Sequence, residues 1–181
     1  MAKKRLNRKF KFWALKVFII SLFLTAGISV ITEMLMDKLS IVAAALLILV
    51  IVMIGVIFDI IGIAFASCDP KPFVSMASRK IKRAKSALVL LKNAGVVSNI
   101  CGDVVGDICG IVSGAAGAAI AVKIIAQAHT APDIVITIAI SSVIAAVTVA
   151  GKAAGKKFAI NKNKRIVSFV SYVLMIFLRE Q

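Results

Sequence analysis

The sequence predicts an all-α integral membrane protein with four transmembrane helices and two amphipathic helices at the cytoplasmic face. Of its 181 residues, 61% are hydrophobic, and the mean hydropathy is +1.02. Soluble domains are closer to ~45–50% apolar, and a soluble domain of this composition would expose a large apolar surface to water. Four apolar stretches reach the ~20 residues that a helix needs to cross a bilayer. Because unpaired backbone cannot cross hydrocarbon, each stretch is predicted to be helical.

The predicted spans divide the chain into two parts. The spans are residues 14–33, 40–67, 95–123 and 134–151. The first follows a basic segment, as a signal peptide would, but its apolar core exceeds the ~7–15 residues of such a peptide and no A-x-A-like cleavage site follows. We therefore expect a retained helix. Residues 1–39 form a basic segment with an additional transmembrane helix, and residues 40–181 form a transmembrane domain with juxtamembrane helices over 73–94 and 153–178.

The positive charge indicates how the chain lies in the membrane. Lys and Arg number 23 against 8 Asp and Glu, a net charge of +15. Of these 23 residues, 21 fall in the segments 3–16, 71–92 and 152–179, whereas the connections near 37–39 and 127–133 are nearly free of basic residues. By the positive-inside rule, both termini of a multi-pass cell-membrane protein are then cytoplasmic. The basic segments are expected to contact anionic lipids of the bilayer.

Several other functions are not expected. Nucleic-acid binding would require aromatic interleaving or a recognisable module, and the sequence has neither. The three cysteines lack metal-ligand spacing and are expected to be free apolar side chains. The single histidine, His129, cannot form a histidine cluster within one chain. The serines accompany no nucleophile–base motif, so the chain is not expected to be an enzyme.

Two segments outside the spans are predicted to be amphipathic helices. In the segment 73–94, apolar residues recur at helical spacing while basic residues take the other faces. These apolar residues are Ala77, Ile81, Ala84, Leu88 and Leu91. Pro70 and Pro72 before this segment prevent the second span from continuing. The segment 161–179 begins basic and ends in about 13 apolar residues, too few to span comfortably, which favours a surface or re-entrant helix over a fifth span.

The third span carries glycines and acids at helical spacing. Glycines recur every fourth residue at Gly102, Gly106, Gly110 and Gly114. Such a stripe lets another helix approach closely in a membrane. Asp103 and Asp107 are also four residues apart and are predicted to share one face of the helix.

Other charged residues are expected near these acids. Asp59 in the second span is predicted to lie at a similar depth, and Lys152 at the end of the fourth span is predicted to reach the same region. Intramembrane acids mark an ion path, a proton relay or a buried pair, and carboxylate and hydroxyl oxygens suit a hard cation such as Mg²⁺. The candidates for cation binding or ion pairing are Asp59, Ser67, Asp69, Asp103, Asp107 and Lys152.

The acids allow three interpretations. In the first, Asp103 and Asp107 are metal ligands, with Asp59 and Ser67 completing a site open to the cytoplasm. Mg²⁺ is the candidate ion, and no other cofactor is expected. In the second, Lys152 neutralises one aspartate in a structural ion pair that only orients helices. In the third, one of the acids stays protonated.

The order of these features resembles the cyclin-M/CorC-type transmembrane domain family, which is associated with Mg²⁺ transport. The resemblance covers residues 40–178 and is carried by three segments: 65–69 (FASCD), 102–107 (GDVVGD) and 151–156 (GKAAGK), the last followed by Ala159 and Arg165-Ile166. It implies the helical architecture of that family, a homodimer, and a cation site near these segments. We expect no cytosolic regulatory domains like those that accompany the family's membrane part.

The chain departs from the family pattern at the site. Asp103 and Asp107 stand where the family has asparagine, Lys152 stands where it has glutamate, and Gly155 replaces a proline. Two functions follow. The chain is either a relative of cation transporters with a cytoplasm-facing acidic cluster, or a non-transporting membrane subunit or scaffold. In the second case an Asp–Lys pair replaces the cation site, and the glycine stripe packs against a helix of a homodimer mate or another membrane protein.

Overall fold

A computed structural model describes residues 2–128 and 132–178 of the chain; His129 and Arg179 lie outside these residues. The described residues are helical apart from short connections, and they contain no strand. The elements in chain order are α1 (Ala2–Lys38), α2 (Ile41–Ser67), α3 (Lys71–Ser78), α4 (Lys82–Lys92), α5 (Ala94–Ser98), a π-helix (Asn99–Gly106), α6 (Asp107–Ala128) and α7 (Asp133–Leu178).

The prediction of an all-helical, multi-pass membrane protein is confirmed by the length and composition of these helices. In the described residues, four helical segments are long and apolar enough to cross a bilayer: Leu15–Lys38, Ile41–Ser67, Ala94–Gln127 and Asp133–Ile176. The third segment combines α5, the π-helix and α6. Each contains more than the ~20 residues that a crossing needs.

The segment 73–94 forms two helices where the sequence predicts one. α3 and α4 are separated at residues 79–81, where Lys80 has a φ of 59°. This left-handed conformation is uncommon for a residue other than glycine. The turn is closed by hydrogen bonds from the Lys80 N–H to the Ala77 carbonyl (3.0 Å) and from the Ile81 N–H to the Met76 carbonyl (3.3 Å). The sequence contains no Gly or Pro at this turn, so its helical periodicity gives no sign of the break.

α7 continues through the predicted end of the fourth span. The span 134–151 and the predicted juxtamembrane helix 153–178 are parts of one 46-residue helix, which is interrupted at Lys162 (φ −115°, ψ 18°). The 29 residues before Lys162 have a length of ~44 Å at 1.5 Å per residue, which exceeds the ~30 Å hydrocarbon core. α7 is therefore long enough to extend beyond the bilayer before its direction changes.

Contacts between Cα atoms divide the chain into two compact units. The first comprises Met1–Leu49 and Ile111–Ile144. Within it, the Lys123 ammonium group donates hydrogen bonds to the backbone carbonyls of Met36 and Leu39, at the carboxyl end of α1. A cation at this position complements the negative end of the helix dipole. Most apolar side chains of α1 between residues 15 and 38 are exposed, as would suit a helix in contact with lipid.

The second unit comprises Val50–Gly110 and Ala145–Gln181. Its core is formed by the end of α2, the short helices α3 and α4, and the last part of α7. The buried side chains of this core are Phe65, Cys68, Phe73, Ala87, Leu91 and Val167. In addition, the side-chain amide of Asn163 donates a hydrogen bond to the Ser67 carbonyl (3.0 Å). This bond fixes the residues after the α7 kink at the level where α2 ends.

Candidate functional site

The candidate site begins where α2 packs closely against the π-helix and its flanking residues. A Cβ atom added at Gly62 would lie 3.0 Å from the Ser98 carbonyl oxygen and 3.1 Å from the Gly102 nitrogen. A Cβ atom added at Gly55 would lie 2.8 Å from the Cys109 Cβ. Glycine at these two positions of α2 therefore allows a close approach of the two backbones, as small residues commonly do between membrane helices.

Asp59 lies between these two glycines of α2 and meets the first half of the glycine stripe. Its Oδ1 atom is 3.4 Å from the position of a Cβ atom at Gly102, and its Cβ is 3.8 Å from the corresponding position at Gly106. Cβ atoms added at Gly110 or Gly114 would meet no atom within 4 Å by the same measure. A side chain at the first two glycines of the stripe would thus be in van der Waals contact with Asp59, whereas a side chain at the last two would meet open space.

A π-helix carries Asp103 and ends next to Asp107, the two acids that the sequence predicts to share one face of the helix. It extends over the eight residues Asn99–Gly106, and α6 begins at Asp107. A π-helix has i→i+5 hydrogen bonds and a wider turn than an α-helix, and such segments often occur at functional sites. Asp103 therefore lies in the π-helix and Asp107 begins α6, and both side chains are exposed in the single chain.

Lys152 forms an ion pair with Asp107. The Lys152 Nζ atom lies 3.0 Å from Asp107 Oδ1, and the two side chains are 28% and 63% exposed, respectively. Of the three aspartates that the sequence placed near Lys152, the structure therefore pairs it with Asp107.

Asp59 has charged neighbours of both signs. Lys152, Lys156, Asp103 and Asp107 are all close enough to act on its carboxylate electrostatically. Together with Asp59 these residues form a cluster of three acids and two lysines, which we call the acidic cluster. Lys156 is the member that the sequence analysis missed. It lies one helical turn after Lys152, and this i, i+4 spacing was the available signal.

Ser67 and Asp69 serve the ends of helices. The Ser67 hydroxyl donates a hydrogen bond to the Ile63 carbonyl (2.8 Å). It lies eight residues beyond Asp59, a distance of ~12 Å along the helix axis. The Asp69 carboxylate accepts a hydrogen bond from the backbone N–H of Lys71 (2.9 Å), at the start of α3. Asp69 therefore stabilises the start of α3, and the Ser67 hydroxyl group is hydrogen-bonded within its own helix, α2.

The acids do not form a ready-made set of metal ligands. Among the described residues, no group of three or more His, Cys, Asp or Glu side chains is placed to hold a metal ion. Asp107 already has an ammonium group at its carboxylate. A cation that used Asp107 as a ligand would have to displace Lys152 or share the carboxylate with it.

Cys68 lies just beyond the end of α2, and burial and nearby charges both affect the pKa of its thiol. Burial raises the pKa of the Cys68 thiol, and the nearby positive charge of Lys164 opposes this effect. Lys164 follows Asn163, whose side chain is bonded to the Ser67 carbonyl, so its charge lies near the end of α2. The thiol is expected to remain protonated at neutral pH.

Comparison of the chain with protein-family models, with curated proteins and with solved structures found no significant match. The described helices define the chain as an all-helical protein of the multi-pass membrane class, in which an ion pair joins two of the four segments that are long and apolar enough to span a membrane.

Proposed function

We propose that this chain is a non-transporting membrane subunit or scaffold in which the Lys152 ammonium group takes the place of a bound cation. The observation that carries this proposal is the 3.0 Å contact between Lys152 and Asp107. It is supported by the resemblance to the cyclin-M/CorC-type domain, in which position 152 is an acid. A fixed ammonium group next to the carboxylates would repel Mg²⁺, so the family's transport activity is not expected here.

The position of this ion pair favours a protein partner. Asp107 lies 13 residues into the segment Ala94–Gln127, or ~20 Å along the helix axis, and its side chain is 63% exposed in the single chain. Charged side chains within membrane spans almost always face other protein or water-filled cavities. A second protein surface that covers the pair would meet this requirement. We therefore propose that the chain forms a homodimer or associates with another membrane protein.

We further propose that both termini face the cytoplasm and that the protein resides in the cell membrane. Support comes from the basic segments 3–16, 71–92 and 152–179, which a four-span topology places on one side. In this orientation α3, α4 and the end of α7 are amphipathic helices at the cytoplasmic face. In α4, Ala84 and Ala87 are buried whereas Lys85 is exposed, which agrees with a helix that packs apolar residues inward.

Cation binding is the second candidate function. It is favoured by the excess of acids over lysines around Asp59 and by the π-helix that carries Asp103. In this alternative, Asp59, Asp103 and Asp107 bind a divalent cation such as Mg²⁺, and Lys152 moves away when the ion enters.

Binding of Mg²⁺ to the purified full-length protein separates the two functions. Isothermal titration with Mg²⁺ and Mn²⁺ should show no binding to the wild-type protein and measurable binding to the Lys152→Glu variant, which restores the acid of the family pattern. Lys157→Gln is the matched control, because it removes an exposed charge five residues further along α7 and should leave the wild-type result unchanged.

Two results would contradict the proposal. Binding by the wild-type protein that is lost in Asp103→Asn would support the cation-binding function instead. If neither the wild-type protein nor Lys152→Glu binds either ion, the acidic cluster does not correspond to a cation site, and Lys152 does not substitute for a cation.

A further inference from the structure

Two grooves flank the part of α7 that follows its kink at Lys162. One lies between this part of α7 and α3 and has a volume of ≈ 440 Å³. The other lies between α7 and α2 and has a volume of ≈ 490 Å³. Arg165 and Phe169 line both grooves, so the two form neighbouring halves of one surface. We call this surface the kink groove.

The kink groove combines positive charge with apolar side chains. Lys164 and Arg165 lie in the first half, and Lys162 and Arg165 lie in the second. No Asp or Glu from the described part of the chain lines either half. The other lining residues are mostly apolar, and Phe169, which lines both halves, is 68% exposed. A ligand that fits this pattern has an anionic head and an apolar body.

The cations are held at the level where an apolar span ends. The Asn163 side chain donates to the carbonyl of Ser67, the last residue of α2, and accepts a hydrogen bond from the Lys164 N–H (2.7 Å). These two bonds place the basic residues next to the end of the α2 span. In a bilayer this level corresponds to the boundary between hydrocarbon and phosphate groups. Basic pockets at that depth between membrane helices are suited to lipid head groups.

We infer that the kink groove binds an anionic phospholipid, with its phosphate at Lys164 and Arg165 and an acyl chain against Phe169. Both volumes are within the ~300–1,000 Å³ typical of ligand pockets. The assignment of this lipid to the cytoplasmic leaflet rests on the proposed orientation of the chain, but the binding itself does not. It is also independent of whether the acidic cluster binds Mg²⁺.

Native mass spectrometry of the full-length protein in detergent tests this inference. The probes are palmitoyl-oleoyl phosphatidylglycerol and palmitoyl-oleoyl phosphatidylcholine, which share their acyl chains and differ in net charge. The double variant Lys164→Gln/Arg165→Gln should weaken phosphatidylglycerol binding about 10- to 30-fold, since each basic residue near the membrane surface contributes a factor of about five. Phosphatidylcholine binding should change little.

Two further variants examine the parts of the site separately. Phe169→Ala removes apolar wall and should weaken the binding of both lipids. Lys157→Gln is the charge control, because Lys157 is an exposed lysine of α7 that lines neither half of the kink groove. It should leave the binding of both lipids as in the wild-type protein.

Three results would overturn the inference. The first is an unchanged preference for phosphatidylglycerol in the double variant. The second is an equal loss of that preference in Lys157→Gln, which would indicate attraction to the general surface charge. The third is displacement of phosphatidylglycerol by an equal concentration of inorganic phosphate, which would identify a phosphate site instead of a lipid site.

Discussion

Asp107 and Lys152 depend on each other because both lie in helices that are long and apolar enough to span a membrane. A single charge at the centre of a membrane helix costs ~2.5–3.5 kcal/mol on insertion scales. The 3.0 Å contact between these two residues offsets part of this cost. Removing either partner leaves the other without its counter-charge, which generally destabilises a protein more than removing both.

Ser171 is a polar residue in an apolar, buried position near the end of α7. Its side chain is fully buried, and its hydroxyl has no hydrogen-bond partner among the described residues. A buried hydroxyl without a partner costs roughly 1–3 kcal/mol. Ser171→Ala should therefore raise the free energy of unfolding by about 1 kcal/mol, measured by thermal unfolding in detergent.

The control for this substitution is Ser168→Ala. Ser168 lies three residues earlier on α7 and is only half-buried, so its replacement should change the unfolding temperature little. A lower unfolding temperature for Ser171→Ala than for the wild-type protein would show that the hydroxyl has a stabilising partner.

Among the helices, the glycines of α2 are expected to be less tolerant of substitution than the last glycine of the stripe in α6. A methyl group at Gly62 would approach two backbone atoms, the Ser98 oxygen and the Gly102 nitrogen, at 3.0 and 3.1 Å. Backbone cannot move aside as a flexible side chain can. Gly62→Ala should therefore destabilise the protein by about 1–3 kcal/mol, the usual cost of overpacking.

Gly114→Ala is the matched comparison on α6, because its methyl group would meet no atom within 4 Å. Its higher helix propensity should leave stability unchanged or raise it by up to ~1 kcal/mol. Thermal unfolding of both variants under identical conditions provides the measurement. If Gly62→Ala unfolds at the wild-type temperature, or if Gly114→Ala is the less stable variant, the described packing of α2 is wrong.

The sequence predicted the helices well where hydropathy decides them and less well where backbone geometry does. The apolar runs that produce α1, α2 and α6 are long enough for a helix to be the only structure that pairs their backbone groups in lipid. The turn at Lys80 and the kink at Lys162 involve neither Gly nor Pro, so local sequence does not reveal them. The π-helix was also missed, since the periodicity of its apolar residues does not distinguish it from an α-helix.

Prediction of the site was limited by helix rotation. The sequence identified Asp59, Asp103, Asp107 and Lys152 as neighbours because all four fall within or beside apolar spans. It could not determine which acid pairs with Lys152, because that depends on how each helix is turned about its axis. The roles of Ser67 and Asp69 at helix ends depend on side-chain rotamers, which sequence spacing does not determine.

For the molecule as a whole, the position of the basic residues connects the fold to the proposed function. In the proposed topology, the segments that contain 21 of the 23 basic residues face the cytoplasm. This proposed orientation also places the kink groove, which lies beside the end of α2, at the cytoplasmic side. The cellular positions of the acidic cluster and of the lipid site therefore both depend on this four-span topology.

Labelling of single cysteines tests this topology most directly. In a variant without its three native cysteines, Lys38→Cys reports on the α1–α2 connection and Arg79→Cys on the turn between α3 and α4; both positions are exposed. In intact cells, a membrane-impermeant maleimide should label Lys38→Cys and should label Arg79→Cys only after permeabilisation. Labelling of Arg79→Cys in intact cells, or protection of Lys38→Cys, would contradict the four-span topology with cytoplasmic termini.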